Sequence, residues 1–371
     1  MWYREDLPPI EYQRVCEAEG EPIPWKRDRK RLRVQPVSKV STKKPASKRR
    51  SARRGRGAYA NVIADLDRIE NDERGRGTLE LDTGRLDVTN LGKVFFPESG
   101  HTKGDLMRFY TTVAPYLLPA IADRPLVLKR FPNGIHGMAF YQQKAPAEAP
   151  KPVRVEQVKD EGITTQDRLI GGDLATVLYM VQLGAVSIDP WHSRVPHVQY
   201  ADYSIIDLDP GPNATFRRVV NVARWVKEVL DELGLHAVPK TSGATGMHIV
   251  LPLAPHVPND AARMVAEIVA TTVAARREKE ATITRQVKNR SAESVYVDYL
   301  QNIRGKTVAG VYSVRANEGA TVSTPLTWDE VRPGLDSSDF TVDTVPARLA
   351  KVGDLWAKGM KKPNKLETLL K

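Results

Sequence analysis

The chain has 371 residues, of which 41% are hydrophobic, with a single cysteine and a formal net charge of +11. This length and apolar content allow a sizeable core, in two domains or in one large domain with extensions. The single cysteine, Cys16, excludes an internal disulfide and a cysteine-rich zinc site, and a reducing cytoplasm is the expected compartment.

The first 25 residues mix acids, prolines and aromatics, including Tyr3, Tyr12 and Trp25. This composition indicates a short docking or extension segment. The start, Met1–Asp6, lacks the apolar core of a signal peptide, and no apolar run of the chain approaches the roughly 20 residues that cross a bilayer. We therefore expect no association with a membrane.

The positive charge is concentrated in residues 26–57. This segment holds 15 Lys or Arg and one acid, Asp28, and the remainder of the chain has 41 basic and 44 acidic residues. Serines and prolines interrupt the segment and it has no helical periodicity, so we expect a disordered linker. Its charge favours non-specific attraction to nucleic acid through counterion release, with a solubilising spacer or a partner-docking segment as alternatives.

Deletion of residues 1–57 should weaken nucleic-acid binding and flatten its dependence on salt, because fewer phosphate contacts release fewer counterions. The slope of the logarithm of the binding constant against the logarithm of the salt concentration measures this effect. An unchanged slope would rule out an electrostatic role for the basic segment.

The next part of the chain, residues 58–77, is predicted to be an amphipathic helix over 61–70 followed by a connector. Strands are expected at 78–81 and 85–89. Thr102 and Asp105 then form a capping-box pattern that predicts a helix to about residue 118, and a further helix is expected over 173–184.

Asp207 and Asp209 follow the apolar run 203–206, which predicts a buried strand. Side chains two residues apart share a face of a strand, so the two carboxylates should lie side by side at a Pro-Gly-Pro turn. Close carboxylates repel each other and are costly to desolvate, and a hard cation such as Mg²⁺ or Mn²⁺ relieves both costs. An Asp-x-Asp pair on its own also commonly caps a turn or faces solvent.

Two amphipathic helices are predicted after this strand, over 216–233 and over 259–278, the second started by Asn259 or Asp260. Between them lies a glycine-rich segment, 240–246, in front of the apolar run 249–251. Backbone N–H groups of such a turn form an anion-binding concavity, and Thr241 and Ser242 add hydroxyl donors. The segment is not a P-loop, since the Gly-Lys-Ser/Thr ending is missing. An ordinary tight hairpin is the alternative.

Asp298 lies in a second strand-like run, 294–300. Three carboxylates on neighbouring strands can hold the two metal ions that support phosphoryl or nucleotidyl transfer. Together with the glycine-rich turn they suit a nucleoside triphosphate, held by a loop on one side and by metals on the other. The order of elements predicts an α/β or α+β domain with a mixed sheet that carries the site.

Residues 78–371 resemble the polymerase domain of bacterial DNA ligase D, in the archaeo-eukaryotic primase superfamily. The implied fold has mixed β-sheets flanked by helices, here with a basic N-terminal extension. The resemblance rests on eight segments that occur in one order: Asn90–Pro97, Thr102–Asp105, Arg124–Gly134, Phe140–Lys144, Asp207–Gly211, Thr241–Gly243, Val297–Asn302 and Tyr312–Arg315.

The resemblance implies addition of nucleotides, from NTP or dNTP, to a DNA 3′ end in gap filling or non-homologous end joining. Asp207, Asp209 and Asp298 match the family's catalytic ligands for two Mn²⁺ or Mg²⁺ ions. The positions implied to bind the nucleotide are Lys129, Ser242, Gly243, His248, Gln301 and Arg315.

The resemblance also implies contacts with DNA. Asn90, Lys93 and Lys103 match a pocket for the 5′-phosphate at the downstream edge of a gap. Phe140 and Tyr141 match aromatic residues that stack on template bases, although a core aromatic pair is the alternative at these adjacent strand positions. The protein is then expected to be cytoplasmic and nucleoid-associated.

Two positions depart from the family pattern. Asp189 lies where a histidine is expected, which adds a fourth carboxylate to the site unless His192 substitutes for that histidine. Thr245 lies where some members carry a lysine. A metal pair of His192 and His197 is disfavoured, because no cysteine lies nearby. The adenylating Lys-x-Asp-Gly motif of a ligase is absent, so we expect a free-standing polymerase with Ku and a DNA ligase as separate chains.

Three other functions compete with this interpretation. A primase that starts chains without a primer needs a second nucleotide site, whereas Lys93 and Lys103 favour gap or end binding. A non-catalytic scaffold on DNA ends has no use for three carboxylates. A nucleotidyltransferase that modifies RNA ends stays open at the level of sequence.

Overall fold

The computed structural model describes residues 59–73, 75–160 and 163–366 of the chain. The predictions for residues 1–25 and for the basic segment 26–57 lie outside these residues. The described residues belong to one unit, Arg54–Lys371. They form several sheets with flanking helices, which confirms the predicted mixture of helices and mixed sheets.

The described part of the chain contains helices and strands in an irregular order. The helices are α1 (Ala60–Glu70), α2 (Lys103–Ile121), α3 (Leu174–Gln182), α4 (Phe216–Glu232), α5 (Asn259–Arg276), α6 (Val345–Val352) and α7 (Leu355–Gly359). The strands are β1 (Arg76–Leu81), β2 (Gly84–Thr89), β3 (Leu126–Arg130), β4 (Phe140–Gln142), β5 (Val155–Asp160), β6 (Ile163–Leu169), β7 (Asp189–Pro190), β8 (Tyr203–Pro210), β9 (Val238–Thr241), β10 (Met247–Pro252), β11 (Ala281–Thr282) and β12 (Val295–Asp298).

The largest sheet has five strands in the order β11-β12-β8-β10-β9. Its neighbours are antiparallel except for β11 and β12, which are parallel. Ile206 and Leu208 of β8 are fully buried, and α4 and α5 pack on this strand. Ser204, on the same face, donates a hydrogen bond to Ala262 O of α5 at 2.7 Å. The even-numbered face of β8 is therefore the helix-covered face, and the odd-numbered side chains point the other way.

The remaining strands form three smaller sheets that are separate from the central sheet. β4, β3 and β7 form a three-stranded antiparallel sheet with β4 at its edge. β1 pairs with β2 and β5 pairs with β6 as two antiparallel hairpins. Val62, Leu66 and Ile69 of α1 are buried in the same core as the central sheet, so this predicted amphipathic helix packs on the domain.

The N-terminal ends of α2 and α5 are formed in different ways. At α2 the predicted capping box is present, with Asp105 N donating to Thr102 Oγ1 at 3.1 Å. α5 begins at Asn259, as predicted, and Pro258 occupies its N-cap position without a side-chain cap. The Asn259 amide instead donates to Val198 O at 3.0 Å and accepts from Ser193. Within the described ranges, no helix is both long and apolar enough to cross a membrane.

Candidate active site

Four side chains stand directly opposite one another on four adjacent strands of the central sheet. Lys240 of β9 is paired with His248 of β10, His248 with Asp207 of β8, and Asp207 with Asp298 of β12. Directly paired residues of antiparallel strands share a face, so these four form one cross-strand row. The row lies on the face opposite the one that α4 and α5 cover, and all four residues are buried.

Asp209 joins the row at its acidic end, two residues along β8 from Asp207. Ligand oxygens of Asp207, Asp209 and Asp298 lie within 4.8 Å of one another. We call these three residues the carboxylate cluster. Across residues 59–73, 75–160 and 163–366 they form the one group of three or more acidic, histidine or cysteine side chains with this spacing.

Burial and mutual charge repulsion make the ionised form of the carboxylate cluster unfavourable. Leu300 N and Gln301 Nε2 donate to Asp298 at 2.7 and 2.9 Å. Asp207 Oδ1 is buried and accepts no aligned hydrogen bond from the described residues. Burial raises the pKa of the Asp207 carboxyl. Desolvation together with the charges of Asp207 and Asp298 raises the pKa of Asp209 to about 7. Three carboxylates at this spacing, one of them with a buried oxygen that lacks a donor among the described residues, fit hard divalent cations such as Mg²⁺ or Mn²⁺.

In metal-free protein, Asp209→Asn should raise the melting temperature at mildly basic pH. The pKa of Asp209 is raised on folding, so its contribution to stability is present below its unfolded value and is lost as the pH rises through about 7. Solvent around Asp209 screens the charge repulsion, so its removal stabilises the fold only slightly. We expect the melting temperature of Asp209→Asn to rise by about 2 °C. The difference should shrink at mildly acidic pH, where wild-type Asp209 is protonated.

Thermal melts in EDTA at the two pH values measure this effect. Asp231→Asn, at an exposed position of α4, is the matched control for loss of a carboxylate. A lower melting temperature of Asp209→Asn at basic pH would contradict the repulsion described for the cluster.

The glycine-rich turn between β9 and β10, residues 241–246, is fixed by its own hydrogen bonds. We call it the glycine loop. Ser242 Oγ accepts from Ala244 N and from Gly246 N, each at 3.1 Å, so its own proton stays available for a ligand. Gly243 has φ +73°, and a Cβ there would lie 2.7 Å from Arg315 Cγ and from Ser323 N. A side chain at this position is therefore excluded both by the backbone conformation and by its neighbours.

A cleft of about 280 Å³ is lined by Asp207 and Asp209 of the carboxylate cluster and by the glycine loop. The predicted nucleotide residues Lys129, Ser242, His248, Gln301 and Arg315 all line it, and Gly243 lies beside Arg315 at its wall. Gln301 donates to Asp298, so in this structure its amide supports the carboxylate cluster. The nucleotide contacts themselves stay predictions.

Phe140 and Tyr141 lie on opposite faces of the edge strand β4. Tyr141 is paired with Lys129 and lines the cleft, with Lys129 Nζ 5.5 Å from the centre of its ring. Phe140 is paired with Arg130, whose guanidinium carbon lies 5.1 Å from the centre of its ring. Phe140 and Tyr141 are 43% and 68% exposed, so the alternative of a core aromatic pair is wrong. Stacking on template bases stays a prediction for both.

The predicted 5′-phosphate residues are brought together by a turn after β2, and we call them the end pocket. Lys93 N donates to Asn90 O at 3.1 Å, and Lys103 N donates to Lys93 O at 2.8 Å. Asn90 has φ +56°, a conformation that asparagine tolerates. The buried Lys103 donates to Gln182 Oε1 at 3.2 Å. Burial, and then the charge of Lys93, lowers the pKa of Lys103 to about 8.

Both positions that depart from the family pattern lie in the cleft. Asp189 is buried, accepts from Ser187 Oγ at 2.8 Å through Oδ2, and leaves Oδ1 without a partner among the described residues. Burial raises the pKa of the Asp189 carboxyl. Thr245 is exposed at the rim of the cleft. His192 is buried, its ring 4.9 Å from the Tyr203 ring, and does not line the cleft.

Several residues that support the site were missed from the sequence. Lys240 contacts His248. The Asn302 side-chain amide donates to Ile205 O and accepts from Ile205 N, each at 2.7 Å, and so bonds to the backbone of β8 as a neighbouring strand would. Asn317 and Thr321 both donate to Gly243 O and hold the glycine loop against the segment after Arg315. Asn302 lies inside one of the segments that carried the resemblance, and that position was its only signal.

Comparisons with known proteins agree with this arrangement. The family model described as "LigD, primase-polymerase domain" matches residues 102–356. The chain is 32% identical over 270 residues to the Bacillus subtilis bifunctional non-homologous end joining protein LigD, and 33% identical over 276 residues to the Mycolicibacterium smegmatis multifunctional protein LigD. These matches cover 72% and 74% of this chain, and 43% and 36% of the two relatives. The chain thus spans less than half the length of these relatives.

A solved structure shows the same fold. The polymerase domain of Mycobacterium tuberculosis ligase D, in complex with DNA, matches with a TM-score of 0.69 and 30% identity. The match covers 76% of this chain and 99% of that domain. These findings confirm the predicted resemblance, and the chain belongs to the LigD primase-polymerase domain family.

Proposed function

We propose that this protein transfers nucleotides from a nucleoside triphosphate to the 3′ end of DNA, under direction of a template. The observation that carries this proposal is a cleft in which Asp207 and Asp209 of the carboxylate cluster face the glycine loop and two cations, Lys129 and Arg315. Negative ligands on one wall and anion-binding groups on the other suit a triphosphate bound together with metal ions.

The carboxylate cluster would hold two Mg²⁺ or Mn²⁺ ions through Asp207, Asp209 and Asp298. Bound there, such ions supply charge neutralisation for the triphosphate and for the attacking and leaving oxygens of an in-line displacement. In that displacement the primer 3′-oxygen bonds to the α-phosphorus and the bond to pyrophosphate breaks.

The protein groups around the cleft position the nucleotide. Ser242 and the backbone of the glycine loop offer donors to phosphate oxygens, and Lys129 and Arg315 add positive charge. His248 is buried at the floor, and its pKa is held well below the usual range by burial and then by Lys240. A neutral imidazole there acts as a hydrogen-bond donor rather than as a cation.

The DNA substrate is proposed to be an end or a gap with a 5′-phosphate. Lys93 and Lys103 concentrate positive charge in the end pocket, and Asn90 adds an amide. The exposed Phe140 and Tyr141 present aromatic faces for template bases. The relatives' names place them in non-homologous end joining, and we extend that process, with Ku and a DNA ligase activity as partners, to this chain as part of the proposal.

Extension of a labelled primer across a short 5′-phosphorylated gap tests the proposal. The assay uses Mn²⁺ or Mg²⁺ with NTPs or dNTPs, so the ion and the sugar preference emerge from the same experiment. Template-dependent extension supports the proposal. No extension from a protein that binds the gap would support a non-catalytic scaffold, and products formed from NTPs on unprimed templates would support a primase.

A further inference from the structure

Lys240 is a buried lysine whose ammonium group has three hydrogen-bonding contacts. Its side chain sits at the end of the cross-strand row and is 1% exposed. Its ammonium contacts His248 Nδ1 at 2.7 Å, Ala309 O at 2.9 Å and Ser323 Oγ. Within the described part of the chain no carboxylate forms an ion pair with it. Such a lysine has a specific task, because burial of a cation is costly.

The three contacts define the direction of each hydrogen bond. Ala309 O is an acceptor, and Ser323 Oγ–H already donates to Thr241 O at 2.8 Å, so Ser323 accepts from Lys240. An ammonium has three donors and no acceptor, and the third donor then points at His248 Nδ1. A neutral imidazole carries one proton, so an accepting Nδ1 requires the proton on Nε2.

The surroundings of Nε2, at the other end of the imidazole ring, show why the position of the His248 proton matters. His248 Nε2 lies 3.3 Å from Asp207 Oδ1, and the ring lines the cleft. A protonated Nε2 turns its N–H towards the carboxylate, although the two atoms form no aligned hydrogen bond in this structure. The opposite tautomer would direct a nitrogen lone pair at carboxylate oxygen and would turn His248 from a phosphate donor into a metal ligand.

We propose that Lys240 is a positioning residue, which holds His248 as the Nε2–H tautomer so that the ring presents a donor to the triphosphate beside Asp207. The donor role rests on the proposed function, whereas the tautomer does not. Burial, and then the charge of Arg315, lowers the pKa of Lys240 to about 7, and the buried acids Asp207 and Asp189 oppose this shift by favouring the ammonium form. A lysine that only filled space or balanced charge would leave the tautomer of His248 unspecified.

The tautomer is measured by long-range ¹H–¹⁵N NMR of the histidine rings in the full wild-type chain. The chain has seven histidines, and loss of one ring in His248→Gln assigns the signal. We expect an unprotonated Nδ1 and a protonated Nε2. A protonated Nδ1 overturns the inference, and this result needs no variant of Lys240 that folds.

Lys240→Met tests the link to the nucleotide. The variant should show mixed tautomers of His248 and an increase in the KM for NTP of about tenfold, with kcat less affected, as for loss of one hydrogen bond to a charged group. Lys227→Met, on α4, is the control and should change neither quantity. An unchanged KM together with an unchanged tautomer would overturn the positioning role.

The two proposals fail in different ways. A chain that transfers nucleotides but carries the proton on Nδ1 retains the proposed function and loses the role of Lys240. A chain with the expected tautomer but without transfer activity loses the proposed function, and the tautomer assignment stands.

Discussion

Asp298→Asn is expected to lower the rate of nucleotide addition by about 10³-fold or more, since the metal site supplies several kcal/mol of transition-state stabilisation. The asparagine is close in size and keeps one of the two oxygens, of which Oδ1 accepts from Leu300 N and Oδ2 from Gln301 Nε2 in the aspartate. It removes one of the three charges that can hold the ions. Single-turnover extension of a primer in a gap, at saturating NTP, measures the change.

Gap binding and melting temperature are the controls for this variant, and both should stay near the wild-type values. DNA binding retained with activity lost separates catalysis from a scaffold role. Unaltered extension by Asp298→Asn would remove the carboxylate cluster from the proposed mechanism. Asp329→Asn, an acidic residue outside the cleft, should leave extension unchanged.

Lys103→Gln is expected to abolish the preference for a 5′-phosphate over a 5′-hydroxyl at the downstream edge of a gap. A charge-assisted hydrogen bond contributes about 1.5–3 kcal/mol, so the affinity for the phosphorylated gap should fall by about 10- to 100-fold. The affinity for the hydroxyl gap should change little. Equilibrium binding of the two gaps, which differ by one phosphate, measures the preference directly.

The wild-type preference should also depend on pH. Lys103 has a pKa lowered to about 8 by burial and by Lys93, so its positive charge is lost as the pH rises through that value. The preference should therefore be strong near neutral pH and weaken above about pH 8, apart from the upward shift that bound phosphate causes. Lys351→Gln, at an exposed position of α6, is the control. An undiminished preference in Lys103→Gln would place the phosphate elsewhere.

Short-range sequence patterns predicted those parts of the site that are formed by residues close together in the chain. Alternation along β8 placed Asp207 and Asp209 on one face, and both lie in the cleft. The capping box of α2 follows the same kind of short-range rule. Asp298 was harder to assign to the site, because it is paired with Asp207 across 91 residues of the chain. Its strand-like run suggested a third ligand, and the family resemblance then assigned Asp298 to the same site as Asp207.

Tertiary contacts account for the features that the sequence did not show. A lysine is ordinarily exposed, so nothing near Lys240 indicated a buried ammonium between β9 and β10. The sequence predicted the start of α5 at Asn259 or Asp260, but it did not show the contacts of the Asn259 amide with Ser193 and Val198. Phe140 and Tyr141 both stay exposed because β4 is an edge strand of a small sheet.

The register of β8 has a consequence for misfolded forms of the chain. Shifting this strand by one residue would turn Asp207 and Asp209 towards α4 and α5, and would bring Ile206 and Leu208 into the cleft. Such a conformer would bury two charges in the apolar layer and expose two large aliphatic side chains. A well-folded but inactive molecule with a slipped strand is therefore excluded on energetic grounds. Loss of activity through a slipped β8 should therefore always be accompanied by loss of stability.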